Sequence, residues 1–436
     1  MTVLAPDSTD QRAPALVIVA DDLTGAADCA VVCVKRGLDA VVVLAPDAPA
    51  QGVDVLAIDA DTRALRPEAA AEKTARVLSS LGQGKDFLVF KKIDSTLRGH
   101  IGVELAVMLS ARRRTVPDSI VVLAPAFPAL GRTTVDGYHF LWGQPLEETE
   151  PWRDEDRTGR AFLPRMASDA GLRTELLPLG RVREDAAALL AAMKQLAAKC
   201  DVIACDAETE DDLAALARAS FQLGRATIWA GSAGLVGHLA DAAGLTGSQP
   251  GNAFAATAEA QVFVVGSRSA VSRRQAAAFA ALDDVEMIDV DPASSADELD
   301  NIDFKGRFSS ALDTGKAVLI WQAGEEPPAK TARSRPCGDL AVQIASYRSR
   351  IGALFATGGE TARCLLEAFG VQALRLIEEV EPGIALSMAV GRPELAIVTK
   401  AGAFGNDASM AVSHAALSRA AAISRNPAAD QRRAGD

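Results

Sequence analysis

Four polar side chains stand close together after a short apolar segment, at Lys92, Asp94, Ser95 and Arg98. A small hydroxy acid needs cations for its carboxylate, polar partners for its hydroxyls and one carboxylate near a reacting oxygen. This cluster supplies all three, because it combines two cations with a carboxylate and a hydroxyl. Clustered charges of this kind also occur as structural ion-pair networks, which is the alternative interpretation.

Three glycine-containing segments in the second half of the chain have the form of phosphate-binding loops. They are Gly266–Ser269, Thr357–Thr361 and Lys400–Gly405. A glycine turn between a strand and a helix presents backbone N–H groups to an anion, and Lys400 would add an ammonium group. One such turn alone is typical of tight strand–helix packing, but three of them favour a nucleotide site. The nearest fragment to a P-loop, Gly82–Lys85, lacks its spacing and its Ser or Thr.

Further candidates follow two other apolar segments in the first half. Asp21 and Asp22 are adjacent, and aspartate caps helices well, so one of them is expected to be a cap. The second carboxylate then remains for a ligand. Arg63 is a third candidate, for which a solvated surface charge is the alternative.

The elements that position these groups repeat one pattern. A short β-branched segment such as Ala15–Ala20 or Phe87–Lys91 ends in a polar or glycine-rich turn, and a helical pattern follows. This alternation predicts parallel sheets with helices on both faces. Ligands of such sheets bind outside the carboxyl ends of the strands, where all the candidate loops lie.

A segment rich in Gly, Ala and Thr interrupts the alternation, which then starts again. We therefore predict an N-terminal domain at 15–245, a linker at 246–260 and a C-terminal domain at 261–423, with the reacting centre in the cleft between the domains. The charged stretch 144–165 contains three prolines and no clear period, and it is predicted to be a loop or lid.

Composition narrows the class of function. The chain has 436 residues, 49% of them apolar, and a formal charge of −12. That charge argues against nucleic acids and anionic membranes as partners, so positive charge for an anionic substrate has to be local. The six cysteines form no C-x-x-C pair and the four histidines are scattered, so a zinc site is unsupported. With no signal-peptide pattern and no apolar segment of about 18 residues, we expect a cytoplasmic protein.

Taken together, these motifs resemble the four-carbon acid sugar kinase family. The resemblance extends in order over about residues 15–420, and the combination of six motifs is highly specific. The segments that carry it are Ala20–Ala26, Lys92–Gly99, Pro125–Pro128 with Gly131–Thr134, Gly231–Leu235, Thr357–Ala362 and Lys400–Gly405.

The resemblance implies a kinase that uses ATP to phosphorylate the terminal 4-hydroxyl of D-threonate, D-erythronate or a 3-oxo-tetronate. It implies a sugar-acid-binding N-terminal domain and a nucleotide-binding C-terminal domain, and Mg²⁺ is expected from the chemistry. With Arg98 added from the polar cluster, the expected sugar-acid residues are Asp21, Asp22, Arg63, Lys92, Ile93, Asp94, Ser95 and Arg98. The expected ATP residues are Ser267, Gly358, Gly359, Glu360, Thr361, Gly402, Ala403, Phe404 and Gly405.

Two positions depart from the family pattern. Ala403 stands where family members often have glycine, and Asn406 stands where they often have an acid. Asp407 is then the local carboxylate for a magnesium-linked role. No ligand set for a metal is predicted.

The predicted fold is α/β, with two domains that are each a mostly parallel sheet covered by helices. Asp94 is predicted to orient the 4-hydroxyl and accept its proton, with Asp21 as the second candidate. Two alternatives remain: a kinase of another small hydroxy acid, and a non-catalytic sugar-acid sensor. A nicotinamide dehydrogenase is disfavoured because the glycines at 231, 234 and 237 do not match the dinucleotide fingerprint. Substrate stereochemistry and oligomeric state stay open, although a homodimer fits.

Overall fold

A computed structural model describes residues 13–425 except for 46–47, 49–51, 82–86, 154, 156–158, 225, 248–258, 268, 291–298, 300–303 and 323–336. The described residues form two compact units. The first contains the chain up to residue 20 together with 36–249, and the second contains 21–35 together with the chain from 250 onward. Helix α1, Leu23–Val34, therefore belongs to the second unit.

The strands of the first unit are, in chain order, β1 Leu16–Ala20, β2 Ala40–Val43, β3 Val55–Asp59, β4 Leu88–Lys92, β5 Ile120–Ala124, β6 Arg132–Val135, β7 Tyr138–Leu141, β8 Gln144–Pro145, β9 Thr174–Leu177, β10 Val202–Cys205 and β11 Thr227–Gly231. Its main sheet is parallel throughout the described strands, in the order β2-β3-β1-β4-β11-β5-β10-β9. Strands β6, β7 and β8 form a separate antiparallel sheet.

Local sequence signals explain where the helices of this unit begin. The helices are α2 Pro67–Ser80, α3 Ile101–Arg113, α4 Glu150–Arg153, α5 Leu163–Ser168, α6 Leu179–Val182, α7 Ala186–Ala197, α8 Glu210–Phe221 and α9 Ala233–Ala242. Pro67 occupies the first turn of α2, where its missing N–H costs nothing. Asp185 caps α7, and Thr209 with Asp212 forms a capping box at α8.

The strands of the second unit are β12 Ala260–Val265, β13 Val285–Val290, β14 Ala317–Gln322, β15 Ile351–Thr357, β16 Ala373–Glu381, β17 Ile384–Ala389 and β18 Arg392–Lys400. They form a mixed sheet of order β13-β14-β12-β15-β18-β17-β16, in which β17 is antiparallel to both its neighbours. Besides α1, its helices are α10 Ala270–Ala280, α11 Phe304–Asp313, α12 Gly338–Ala345, α13 Gly359–Ala368 and α14 Ser409–Arg425. The rings of Phe263, Phe279 and Phe355 pack together in its core, with centroids 4.4 and 4.9 Å apart.

Helix α1 is apolar and packs against β16, β17 and α13 of the second unit. Ten of its twelve residues are buried, which a helix covered on one face alone would not show. The chain thus leaves the first unit after Ala20 and returns at Arg36. The alternation of strand and helix does not predict this change of unit. A pattern of apolar residues indicates that a helix is buried, but not which sheet it packs against.

The predicted α/β class is confirmed, since each unit has a mostly parallel sheet with helices packed around it. The domain bounds 15–245 and 261–423 stay a prediction, and most of the predicted linker, 248–258, lies outside the described residues. In the stretch 144–165, where a loop or lid was predicted, the described residues hold β8, a 3₁₀ turn at Leu146–Glu148, α4 and the start of α5. None of the described helices combines the length and apolar composition needed to cross a membrane.

Candidate active site

The polar cluster of the first unit lies at the carboxyl end of β4, in the middle of the parallel sheet. The last residue of β4, Lys92, is in register with Ala20 of β1 and Gly231 of β11. Asp59 at the end of β3 is in register with Ala20. The segments that follow these strands, including the one with Arg63, therefore begin side by side, as expected for parallel strands.

Asp94 is held by two guanidinium groups. Arg98 donates from Nε to Oδ2 and from Nη2 to Oδ1, both at 2.8 Å. Arg63 Nη2 lies 3.6 Å from Oδ1. Thr96 also donates its amide and its hydroxyl to Oδ2. A bidentate arginine–carboxylate pair fixes orientation as well as charge, so Asp94 organises the cations around it.

These contacts decide the charge of Asp94. Burial by itself would raise the pKa of Asp94, but Arg98, Arg63 and Lys92 outweigh it and hold the pKa well below its usual range. The carboxylate is therefore ionised at neutral pH. The side chains of Arg98 and Arg63 are 37% and 17% exposed, against 9% for Asp94. An anion arriving from solvent thus meets the cations rather than the carboxylate between them.

The two lysines that end β4 have different roles, because successive side chains of a strand point to opposite faces. Lys91 is fully buried, and its Nζ lies 3.1 Å from Oε2 of Glu104, which makes it part of a core ion pair. Lys92 donates to the carbonyl of Ile93 at 2.9 Å and is close enough to Asp94 to lower its pKa. Lys92 is therefore the lysine of the candidate site.

Ile93 and Ser95 are fixed through their backbones. The amide of Ile93 donates to Gly231 O at 2.9 Å, and its side chain is buried. The carbonyl of Ser95 lies 2.9 Å from Nε2 of His139, whose Nδ1 is 3.0 Å from Thr134 Oγ1. Burial lowers the pKa of His139 to about 4, so its ring is neutral. No sequence signal indicated His139, which comes from the antiparallel hairpin.

In the second unit the three predicted phosphate loops begin side by side. Val265 of β12, Thr357 of β15 and Lys400 of β18 are paired in register at the ends of adjacent parallel strands. Gly358 has φ +98°, a conformation that favours glycine. A Cβ at Gly402 would collide with the side chain of Ser267. The glycines therefore allow the loops to approach closely, whereas Arg268 lies outside the described residues.

Asp22 lies at the second of these loops. It caps α1, with Oδ1 accepting from the amide of Gly25 at 2.9 Å and Oδ2 from the hydroxyl of Thr24 at 2.6 Å. A Cβ placed on Gly359 would stand 2.7 Å from Asp22 Oδ2. The structure thus brings Asp22, which the sequence assigned to the sugar acid, beside a residue assigned to ATP. Asp21 is buried at the point where the chain enters the second unit.

The other residues assigned to ATP differ in exposure. Glu360, Ala403 and Gly405 are exposed, and Thr361 is buried. The ring of Phe404 is buried against the turn at Gly383. A contribution of Phe404 to nucleotide binding would therefore come from its backbone.

The residues after this loop form a turn before α14 and make a surface ion pair. Asn406 accepts from the amide of Ala408 at 2.9 Å and donates to Glu381 at 3.2 Å. Asp407 pairs with Arg274 at 3.0 Å, and both side chains are more than half exposed. Within the part of the chain that the structure describes, no group of three or more His, Cys, Asp or Glu side chains could hold a metal ion.

Two protein-family models match the chain. A sugar-binding N-terminal domain matches residues 16–239, and a nucleotide-binding C-terminal domain matches residues 262–410. The two matches are consistent with a polar cluster in the first unit and phosphate loops in the second.

Curated relatives match over nearly their whole length. The chain is 38% identical over 411 residues to a D-threonate kinase of Cupriavidus necator, covering 90% of this chain and 96% of the relative. It is 30% identical to a D-threonate kinase of Salmonella typhimurium, covering 91% and 96%. It is 27% identical to a D-erythronate kinase of Heliobacterium modesticaldum, covering 90% and 94%.

Solved structures share the fold. A Salmonella typhimurium LT2 protein described as a tRNA synthase superposes with a TM-score of 0.75 at 22% identity, covering 91% of this chain and 98% of that chain. A Haemophilus influenzae protein superposes with a TM-score of 0.69 at 21% identity, covering 92% and 100%. At these identities the likeness shows the fold alone.

Proposed function

Because the chain belongs to the four-carbon acid sugar kinase family, we propose that it transfers the γ-phosphoryl group of ATP to the terminal 4-hydroxyl of a four-carbon sugar acid. D-threonate is the first candidate acceptor, since the relatives at 38% and 30% identity are D-threonate kinases. D-erythronate and 3-oxo-tetronates, the substrates named for other relatives, are the alternatives. The reduced, buried cysteines favour a cytoplasmic location.

The observation that carries this proposal is the pair of partly exposed guanidiniums around Asp94. In a protein of charge −12, an anionic substrate requires a local, fixed group of cations. Arg63, Arg98 and Lys92 supply one, with the arginines oriented by a buried carboxylate. In this proposal they anchor the carboxylate of the sugar acid, and the backbone around Ile93 and Ser95 shapes the floor of its site.

Asp94 has two candidate roles in the reaction. It orients the guanidiniums, and it is the first candidate to orient the 4-hydroxyl and accept its proton, with Asp21 second. The low pKa of Asp94 makes it a weak base. Phosphoryl transfer through a loose transition state depends mainly on positioning and on charge stabilisation, so a weak base that orients the hydroxyl suffices.

The loops of the second unit are proposed to bind the phosphates of ATP. Backbone N–H groups at Gly358–Thr361, where α13 begins, favour negative charge through the helix terminus. Gly402–Gly405 and the hydroxyl of Ser267 complete the site. In-line transfer then requires the acceptor hydroxyl to approach the γ-phosphorus opposite the leaving ADP oxygen.

Mg²⁺ is proposed to accompany ATP, where it would neutralise charge on the phosphates. Magnesium is usually held by substrate phosphates and one or two carboxylates, with water completing its shell. Asp22 fits this requirement, because its carboxylate lies beside Gly359 in the proposed phosphate loop. Asp407 fits it less well, because its carboxylate is engaged by Arg274 at the surface.

A coupled assay of ADP release over a substrate panel tests the proposal. With Mg-ATP, we expect turnover of at least one of D-threonate, D-erythronate and their oxo forms. The neutral alcohols of the same chain length, which lack the carboxylate, should be turned over at least about 100-fold less efficiently, because a charged hydrogen-bonding site rejects analogues that leave it unpaired.

Three results would count against the proposal. Equal turnover of a sugar acid and its neutral analogue would exclude the cationic anchor. Tight binding of a sugar acid without any ADP release would favour the sensor alternative, and turnover of a longer hydroxy acid alone would favour a kinase of another substrate.

A further inference from the structure

The hydrogen bonds of the Lys400 side chain all go to the loop that follows it. Lys400 is the last residue of β18 and is fully buried. Its Nζ donates to the carbonyl oxygens of Ala401, Gly402 and Phe404, each at 3.0 Å. An ammonium group has three N–H donors, so these three bonds leave none for a phosphate. The sequence predicted that Lys400 would add an ammonium group to this loop, without including it among the residues that contact ATP.

The three bonds determine which way the peptide groups of the loop face. A trans peptide is planar, with its N–H pointing opposite to its C=O, and the described chain contains no cis peptide bond. Because the carbonyls of residues 401, 402 and 404 point at Lys400, the amides of Gly402, Ala403 and Gly405 point away from it. Ala403 and Gly405 are exposed. Backbone amides turned away from the ammonium in this manner can donate to an anion outside the loop.

Helix α10 reinforces the same arrangement with neutral donors. Ser269 and Ser272 each donate a hydroxyl hydrogen to Gly402 O at 2.8 Å. Gln275 Nε2 donates to Phe404 O at 3.0 Å. Lys400 also connects to the neighbouring loop, since its own carbonyl accepts from the amide of Gly358 at 2.9 Å.

We propose that Lys400 is a positioning residue that draws the carbonyls of residues 401, 402 and 404 inward and thereby turns the amides of Gly402, Ala403 and Gly405 outward to bind the terminal phosphates of a nucleotide. It does so without contacting the nucleotide. This inference rests on the proposed function, because it assigns the loop to the phosphates of ATP or ADP.

The protonation of Lys400 gives a measurable quantity, proton uptake on binding, that a side chain serving only for packing would not give. Burial lowers the pKa of Lys400 to about 7, and Glu381, at the end of β16, opposes that shift. Arg274 and Asp407, which follow two of the predicted phosphate loops in the chain, pair with each other at the surface. A bound polyphosphate favours the charged form of a nearby amine, so the pKa of Lys400 rises on binding. At pH 8, binding should therefore take up part of a proton.

The test compares ADP with adenosine by calorimetry at pH 8, without metal, in two buffers of different ionisation enthalpy. We expect Lys400→Met to weaken ADP binding at least about tenfold, since bonds to a charged donor are lost. Adenosine, which has no phosphate, should bind as before. Wild type should take up a fraction of a proton per ADP bound, and the variant none.

A milder variant keeps the test informative if Lys400→Met does not fold. Ser272→Ala removes one donor to Gly402 O and should weaken ADP binding a few-fold, again without changing adenosine binding. Ser413→Ala is the matched control, because Ser413 is a buried serine of the same unit that donates to Ser409 O within α14. It should change neither ligand.

Several outcomes would overturn the inference. Unchanged ADP affinity in folded Lys400→Met would show that the lysine is a packing group, and so would proton uptake that persists in this variant. Equal losses for ADP and adenosine would show a general effect on the second unit. A wild type that binds no ADP would instead refute the proposed function, which separates the two failures.

Discussion

Replacing Asp94 by Asn is expected to lower kcat by about 10²–10⁴-fold, the usual range for losing a group that moves or orients a proton. The side chains are nearly isosteric, so the change removes charge rather than volume. Because Arg98 and Arg63 lose their common partner, KM for the sugar acid should rise as well. The Kd for ATP should stay close to that of wild type, since the phosphate loops belong to the second unit.

Asp201→Asn is the matched control for this prediction. Asp201 also binds two arginines, Arg113 at 2.8 Å and Arg173 at 2.9 Å, and it is similarly buried. It lies before β10, away from the carboxyl ends of the strands, so its loss should affect stability but not kcat. If Asp94→Asn lowers kcat less than about tenfold, Asp94 is a structural acid and Asp21 becomes the first candidate for the catalytic role.

Replacing Gly359 by Val is expected to weaken ATP binding by about 100-fold or more. The new Cβ would stand 2.7 Å from Asp22 Oδ2, so either the carboxylate or the start of α13 must move. A displacement of about 1 Å in a phosphate-binding loop is enough for an effect of this size. Binding of the sugar acid to the nucleotide-free protein should be largely preserved, because its cationic cluster lies in the first unit.

Gly338→Val provides the control for steric and β-branched effects in the same unit, because a Cβ on Gly338 meets nothing within 4 Å. Calorimetry with each ligand separately, supported by circular dichroism and melting curves, measures both variants. Normal ATP affinity in folded Gly359→Val would show that the Gly358–Gly359 turn only serves packing. Loss of sugar-acid affinity with ATP affinity intact would show that the two binding sites were assigned to the wrong units.

Sequence patterns predict the convergence of the loops because parallel strands end at one edge of a sheet. Val265, Thr357 and Lys400 are adjacent for this reason, although they are far apart in the chain. Lys92 and Asp94 come together by short sequence separation alone. Such placements need only the strand positions, which β-branched segments and the turns after them indicate.

Other features depend on tertiary contacts that no local pattern encodes. Asp22 was assigned to the sugar acid through the resemblance to the kinase family, yet the chain changes units directly after Ala20. The sequence indicated that Lys400 adds an ammonium group to a predicted phosphate loop, whereas its side chain turns back to three carbonyls. His139 contacts Ser95 from a hairpin 44 residues away. No sequence pattern around His139 indicates that contact.

In the proposed reaction, the γ-phosphoryl group of ATP is transferred to the terminal hydroxyl of a four-carbon sugar acid. Phosphorus NMR of the product from D-threonate and Mg-ATP tests it most directly, with D-erythronate run in parallel. We expect stoichiometric ADP and a new phosphomonoester whose signal is split into a triplet by the two protons of a terminal CH₂ group. A doublet from an internal CH, or inorganic phosphate as the sole new signal, would contradict it.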